Sequence, residues 1–137
     1  VSTRIRTQQV GDAASTVSQY PAVREKMVKL QQSLAEHTSV VMDGRDIASK
    51  VLPNADTKIY LTASVEERAR RRATELREKG EACDIAEVEA EIRARDDRDM
   101  HRQHSPLIQV PEAVLVDSST LTIDETIDRI LEICMQH

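Results

Sequence analysis

Asp43-Gly44-Arg45-Asp46 places three charges around one glycine, directly after the run Ser39-Val40-Val41-Met42. A short, β-branched apolar run of this kind reads as a buried parallel strand. In an open α/β sheet, ligands bind beyond the carboxyl ends of the strands. Charges buried at such an end without partners are strongly destabilising. A charged, polar ligand would supply those partners, and the glycine lets the backbone bend or come close to it. The competing reading is a solvated strand-to-loop turn with an internal Arg–Asp pair.

Two further clusters carry the same chemistry. Arg68, Arg70, Arg71 and Arg72 lie in one segment that reads as a helix. They form either a solvated face, with Arg71 paired to Glu75 at i, i+4, or an arginine cluster for phosphate. Downstream, Ile85, Val88 and Ile92 follow helical spacing, and the continuation of that stripe falls on Arg95, Asp99 and Arg102, with Arg98 beside it. An inward face that turns from apolar to ionic points to a cleft. Arginine forks match phosphate oxygens bidentately, and a carboxylate between them accepts from hydroxyls or orients an arginine. The alternative is a helix that protrudes into water past Ile92. His101 and His104 stand at i, i+3 with no completing carboxylate or cysteine, so no metal site is expected. No Ser/His/Asp or Cys/His nucleophile arrangement stands out.

The elements that must position these groups follow from periodicity. Gln8 to Ser18 reads as a helix with Val10, Ala13, Ala14 and Val17 on one side, and Pro21 opens a second helix striped by Val23, Met27, Leu30 and Leu34. The strand at 40–42 follows, then a loop at Pro53-Asn54 and a second strand from Thr57 to Thr62. Ser64 and Glu67 have capping-box spacing ahead of a helix from Val65 to Lys79, with Gly80 as its C′ residue. A long helix spans Ile85 to His101, and Ala113 to Val116 forms a third strand. Thr122 and Glu125 repeat the capping spacing before a last helix that buries Ile123, Ile127, Ile130, Leu131 and Cys134. Alternating strands and helices predict an α/β fold with a parallel sheet.

Composition excludes several classes. The 137 residues suit one domain with a real core, and the net charge of −5 with no Trp or Phe argues against a nucleic-acid binder. Cys83 and Cys134 fit no metal spacing and read as free thiols of a reducing cytoplasm. No apolar run reaches membrane-spanning length and no signal peptide is visible, so no membrane partner is expected.

Ile5-Arg6-Thr7, Ala13-Ala14-Ser15, Pro21-Ala22-Val23-Arg24-Glu25, Asp43-Gly44-Arg45-Asp46 and Arg93-Ala94-Arg95-Asp96-Asp97-Arg98-Asp99, in this order, resemble the bacterial cytidylate kinase family. Pro106-Leu107 and Val116-Asp117-Ser118-Ser119 fit its C-terminal stretch, so the resemblance covers nearly the whole chain. It implies a P-loop nucleoside monophosphate kinase-like fold. It also implies transfer of the γ-phosphoryl group of ATP to CMP or dCMP with Mg2+, in pyrimidine nucleotide metabolism. By the same resemblance, Ser15, Arg24 and Asp46 read the cytosine edge, while Arg45 and Arg102 hold the CMP phosphate. Arg95 and Asp99 contact the pentose side. Arg71 and Arg72 belong to a mobile lid and, with Arg102, approach the transferring phosphoryl group. Phosphoryl transfer asks for in-line positioning and cations rather than a protein nucleophile, which agrees with an arginine-lined site. Ala48-Ser49 and His104-Ser105 depart from the family's usual Gly-Thr and apolar pairs, without removing a named ligand residue.

A larger departure is that no G-x-x-x-x-G-K-[ST] occurs, since Gly11, Gly44 and Gly80 are the only glycines. The resemblance therefore implies a C-terminal portion of the kinase. The P-loop strand is expected between the strands at 40–42 and 58–62. Residues 1–38 belong to the CMP-binding region, 39–63 and 105–137 supply core strands and helices, and 64–104 form a lid-like helical region. A non-catalytic nucleotide-binding or assembly module without a P-loop is the other reading. The full-length enzyme is expected to be monomeric, whereas this chain is expected to associate through an exposed sheet edge. The purified 137-residue chain is expected to produce no CMP-dependent ADP in a coupled assay. Robust turnover would overturn that reading.

Overall fold

The computed structural model describes residue 5, residues 7–101 and residues 103–136. In chain order the elements are α1 (Gln8–Val17), α2 (Pro21–Ala35), one wide π-type turn (Ile47–Val51), β1 (Ile59–Thr62), α3 (Val65–Glu78), α4 (Ile85–His101), β2 (Val114–Asp117) and α5 (Ile123–Met135). β1 and β2 pair in parallel, with Ile59 opposite Val114 and Thr62 opposite Asp117. Parallel strands need a long crossover, and the α3–α4 hairpin provides it. The chain is thus a mixed α/β protein with a small parallel sheet.

Local chemistry sets the helix ends. Pro21 stands in the first turn of α2, where a missing N–H costs nothing. Thr122 accepts from the Glu125 amide at 3.2 Å, and Glu125 returns to the Thr122 amide at 2.8 Å, a complete capping box for α5. The Ser64 cap is one-sided. Its hydroxyl accepts from the Glu67 amide, but the Ser64 amide donates to Ser119 Oγ at 2.8 Å. Glu67 is drawn instead to Arg70 and Arg71, each at 2.7 Å. Gly80 has φ of 79°, and the Gly80 and Glu81 amides bond the Arg77 and Leu76 carbonyls in the pattern of a Schellman cap.

The core is small. Val51, Ala63, Ala69, Ala73, Val88, Val110, Ala113, Val116 and Ile133 are the buried hydrophobic residues. The accessible surface is 10441 Å², against about 7,200 Å² for a compact 15.4 kDa monomer. This corrects the expectation of a substantial core. Exposed apolar side chains account for part of the difference. The α2 stripe of Val23, Met27, Leu30 and Leu34 is exposed. On α5 the buried residue is Ile133, whereas Ile123, Ile127, Leu131 and Cys134 are exposed, contrary to expectation. Two strands have too little surface to cover more than one narrow stripe of each helix.

The run at 40–42 is not a strand. Among the described residues it has no ladder partner, and Val41 is fully exposed at 103%. An extended segment becomes a strand only when a neighbour takes its N–H and C=O groups. β1 likewise pairs only with β2 among the described residues.

Glu67 yields a pH-dependent outcome. Arg70 first, and Arg71 after it, lower its pKa from 4.5 to about 2. A carboxylate depressed on folding adds stability above its unfolded pKa, and that stability is lost as pH falls through the folded one. We expect Glu67→Gln to lower the melting temperature most above pH 4.5, with the difference from wild type vanishing near pH 2. Melting curves of both proteins across that range check this.

Candidate functional site

The Asp43–Asp46 turn leads into the π-type turn, and its geometry follows from Gly44. A Cβ there would lie 2.9 Å from Ile47 Cγ1. Glycine therefore permits the chain to fold tightly onto Ile47. The wide turn is closed by Leu52 N–H to the Ile47 carbonyl at 2.7 Å, and Lys50 N–H bonds the Asp46 carbonyl at 2.8 Å. Gln32 of α2 donates to the Val51 carbonyl at 3.0 Å, which seats the turn against that helix.

Two ion pairs leave this turn in opposite directions. Arg24 Nη2 on α2 donates to Asp46 Oδ2 at 2.5 Å, and the two side chains are only 16% and 12% exposed. Arg24 Nη1 also donates to the carbonyl of Ser18, the cap residue that ends α1. Arg24 Nε is buried and has no acceptor among the described residues. In the other direction, Arg45 Nε donates to Asp99 Oδ2 on α4 at 3.0 Å. Arg45 stays 43% exposed, and its two Nη groups make no bond among the described residues. The arrangement offers a paired Arg–Asp edge next to a half-exposed guanidinium. The first suits a flat polar group with donors and acceptors, and the second suits an anion.

Four of the expected residues, Arg24, Arg45, Asp46 and Asp99, thus meet in two tertiary pairs. Arg95 is exposed on α4 and has no partner among the described residues, while Asp99 reaches Arg45. Ser15 lies on α1, whose end is tied to Arg24 through Ser18. Arg102 lies outside the described residues.

The two arginines expected to belong to a lid, Arg71 and Arg72, have distinct settings. Arg71 does not pair with Glu75. It bonds Glu67 Oε1 at 2.7 Å, the Ser118 carbonyl at 2.6 Å and Ser118 Oγ at 3.2 Å. Ser118 is 4% exposed and donates in turn to the Thr62 carbonyl, so Arg71 clasps α3 to the carboxyl ends of both strands. Arg72 pairs with Glu75 at 2.9 Å.

Sequence reasoning missed one pair. Arg68 forks onto Asp96, Nη1 to Oδ1 at 3.0 Å and Nη2 to Oδ2 at 2.6 Å, and its Nε donates to the Ala63 carbonyl. The helical stripe after Ile92 continues through Asp96 and Asp99, both half-buried, rather than through Arg95. Spacings of three and four are equally helical, and what decides between Arg95 and Asp96 is the arginine facing them on α3.

Elsewhere, an open groove of about 440 Å³ between β2 and α5 contains none of these residues. No group of three His, Cys, Asp or Glu could hold a metal among the described residues. No helix is long and apolar enough to cross a membrane among them.

A small parallel sheet, a helical hairpin crossing over it, and two arginine–carboxylate pairs at a glycine turn define a mixed α/β chain. The cytidylate kinase family model matches residues 1–136, and the chain belongs to that family. It is 46% identical over 134 residues to a cytidylate kinase of Symbiobacterium thermophilum, covering 98% of this chain and 59% of the relative. A cytidylate kinase of Geobacillus kaustophilus is 49% identical over 129 residues, covering 94% and 58%. Cytidylate kinase 1 of Haemophilus influenzae is 47% identical over 131 residues, covering 96% and 57%. The chain therefore spans well under two thirds of the length of these relatives.

Replacing Asp46 with alanine would strand the Arg24 guanidinium. We expect Asp46→Ala to destabilise the protein by about 2 kcal/mol, below the range for a fully buried pair because both side chains keep an edge in solvent. Urea unfolding of the variant against wild type measures it.

Proposed function

We propose that the protein carrying this chain transfers the γ-phosphoryl group of ATP to CMP or dCMP, giving CDP or dCDP, and that this chain supplies the acceptor-binding residues and the lid. The observation that carries the proposal is the divided turn, with Asp46 held to Arg24 and Arg45 held to Asp99, in a member of the cytidylate kinase family. Cytosine presents an amino donor at N4, which a carboxylate accepts. Asp46 takes that role, and the Arg24 guanidinium paired with it supplies donors for the ring acceptors. Ser15 joins them at the base. Uracil presents an acceptor at the same corner, which would face the Asp46 carboxylate and be repelled. Arg45, whose Nη groups make no bond among the described residues, and Arg102 hold the CMP phosphate. Arg95 and Asp99 meet the pentose.

The catalytic demand is then positioning and charge. Negative charge spreads over the transferred group in the transition state, and fixed guanidinium groups stabilise it without reorganising. Arg71, Arg72 and Arg102 serve there. In the conformation described, Arg71 is engaged by Ser118 and Glu67, so its part in transfer requires lid movement.

ATP and Mg2+ are assigned to the whole protein. This chain contains no G-x-x-x-x-G-K-[ST], and its described residues do not build a metal site. Mg2+ at such sites binds mainly through phosphates, waters and one or two carboxylates, and no step is routed through it. A P-loop strand beside β1 would pair the edge of that strand that has no ladder partner among the described residues, and would bring the 40–42 run into the sheet. The full-length enzyme is read as a monomer of the cytoplasm, in keeping with two free thiols.

The test is acceptor choice by the full-length protein. CMP should be phosphorylated with far higher kcat/KM than UMP, and Asp46→Asn should narrow that ratio at least about tenfold, because a site built to pair a polar group rejects analogues lacking it. A wild type that treats CMP and UMP alike would overturn the base assignments.

A further inference from the structure

The rotation of α4 about its own axis decides which charges face the acceptor site. Successive residues stand about 100° apart around a helix. Taking Ile92 as the inward direction, Asp96 lies about 40° to one side and Asp99 about 20° to the other, with Arg95 about 60° from it on the Asp99 side. The apolar contacts below leave this rotation loosely defined. Ala69 and Ala73 of α3 are small, Val88 is the one buried residue of α4, and Ile85 is 40% exposed. Two polar links hold it. Arg45 takes Asp99 from the side of the turn, and Arg68 takes Asp96 from the side of α3.

Arg68 is itself unusually well anchored. Its fork is bidentate to Asp96, and its Nε is tied to the carbonyl of Ala63, a buried residue at the end of β1. The side chains are 34% and 23% exposed, so the pair is partly withdrawn from water. A bidentate guanidinium–carboxylate contact fixes orientation as well as distance. The second ionic link between these helices, Arg93 to Glu66, is solvent-exposed at 55% and 64%. Such surface pairs hold little.

We infer that Arg68 and Asp96 are positioning residues for the acceptor site. They reference α4 to the end of the sheet, so that Asp99 meets Arg45 and Arg95 flanks it. Neither is assigned to touch nucleotide. Losing the fork lets α4 turn, and Asp99 then leaves Arg45 without its partner. The inference rests on the acceptor-binding reading above.

The experiment measures steady-state kinetics of the full-length protein with CMP and ATP varied separately. Asp96→Asn should raise the KM for CMP about tenfold and leave the KM for ATP within twofold. Arg68→Lys, which keeps the charge but loses the fork, should do the same and is the variant to read if Asp96→Asn does not fold. The reversed pair, Arg68→Asp with Asp96→Arg, should recover most of the CMP affinity lost in either single reversal. Arg93→Ala, which cuts the exposed link between the same helices, should leave both KM values unchanged. An unchanged KM for CMP in a folded Asp96→Asn or Arg68→Lys protein would overturn the inference while leaving the proposed function intact. So would equal rises in both KM values, or an equal effect from Arg93→Ala. A wild type without CMP phosphorylation would overturn the proposed function, and this role with it.

Discussion

The turn after residue 42 is where the two halves of the chain are joined by charge. Adjacent residues of that turn look in opposite directions, Asp46 to Arg24 on α2 and Arg45 to Asp99 on α4. Successive side chains of a non-helical backbone leave on different sides, and Gly44 lets the turn close onto Ile47, where a Cβ would meet Ile47 Cγ1 at 2.9 Å. The Arg24–Asp46 pair is withdrawn from solvent and the Arg45–Asp99 pair is half open. The first is shielded on both sides of the pair, and the second leaves the Arg45 guanidinium 43% exposed. One turn thus gives its two charged residues different degrees of burial.

Polar links do unusual structural service in this chain because the apolar core is thin. A parallel pair of four-residue strands offers little surface, and most of the buried side chains are Ala and Val. The ends of the strands are held by hydrogen bonds instead. Ser118 reaches the Thr62 carbonyl, Ser119 takes the Ser64 amide, Arg71 takes Ser118, and Arg68 takes the Ala63 carbonyl and Asp96. These contacts gather at the carboxyl ends of β1 and β2, so polar and charged groups brace the sheet there. Exposed Val41, Leu61, Leu115, Ile127 and Leu131 belong to surfaces that two strands leave uncovered.

Local signals were read well from sequence wherever the cause is local. Pro21, the Thr122–Glu125 box and Gly80 mark helix ends through backbone geometry within a few residues, and each stands where expected. Misreadings arise where a partner distant in sequence decides. The Ser64–Glu67 spacing promised a reciprocal cap, but Arg70 and Arg71 took the carboxylate. The 40–42 run has strand composition and no strand beside it. The apolar faces of α2 and α5 have helical periodicity, yet periodicity says only that a helix has a face, not that something covers it.

The sequence alone determined the charged turn, the helix ends, the α/β alternation and the family to which the chain belongs, because these depend on residue type and short spacing. Tertiary structure decided which charges meet. After Ile92, positions 95 and 96 continue the same stripe equally well, and the Arg68 fork on the neighbouring helix selects Asp96. It also decided that Arg45 and Asp46, indistinguishable in sequence as an internal pair, separate toward different helices, since an ion pair forms where geometry brings the partners together rather than where they are adjacent in the chain.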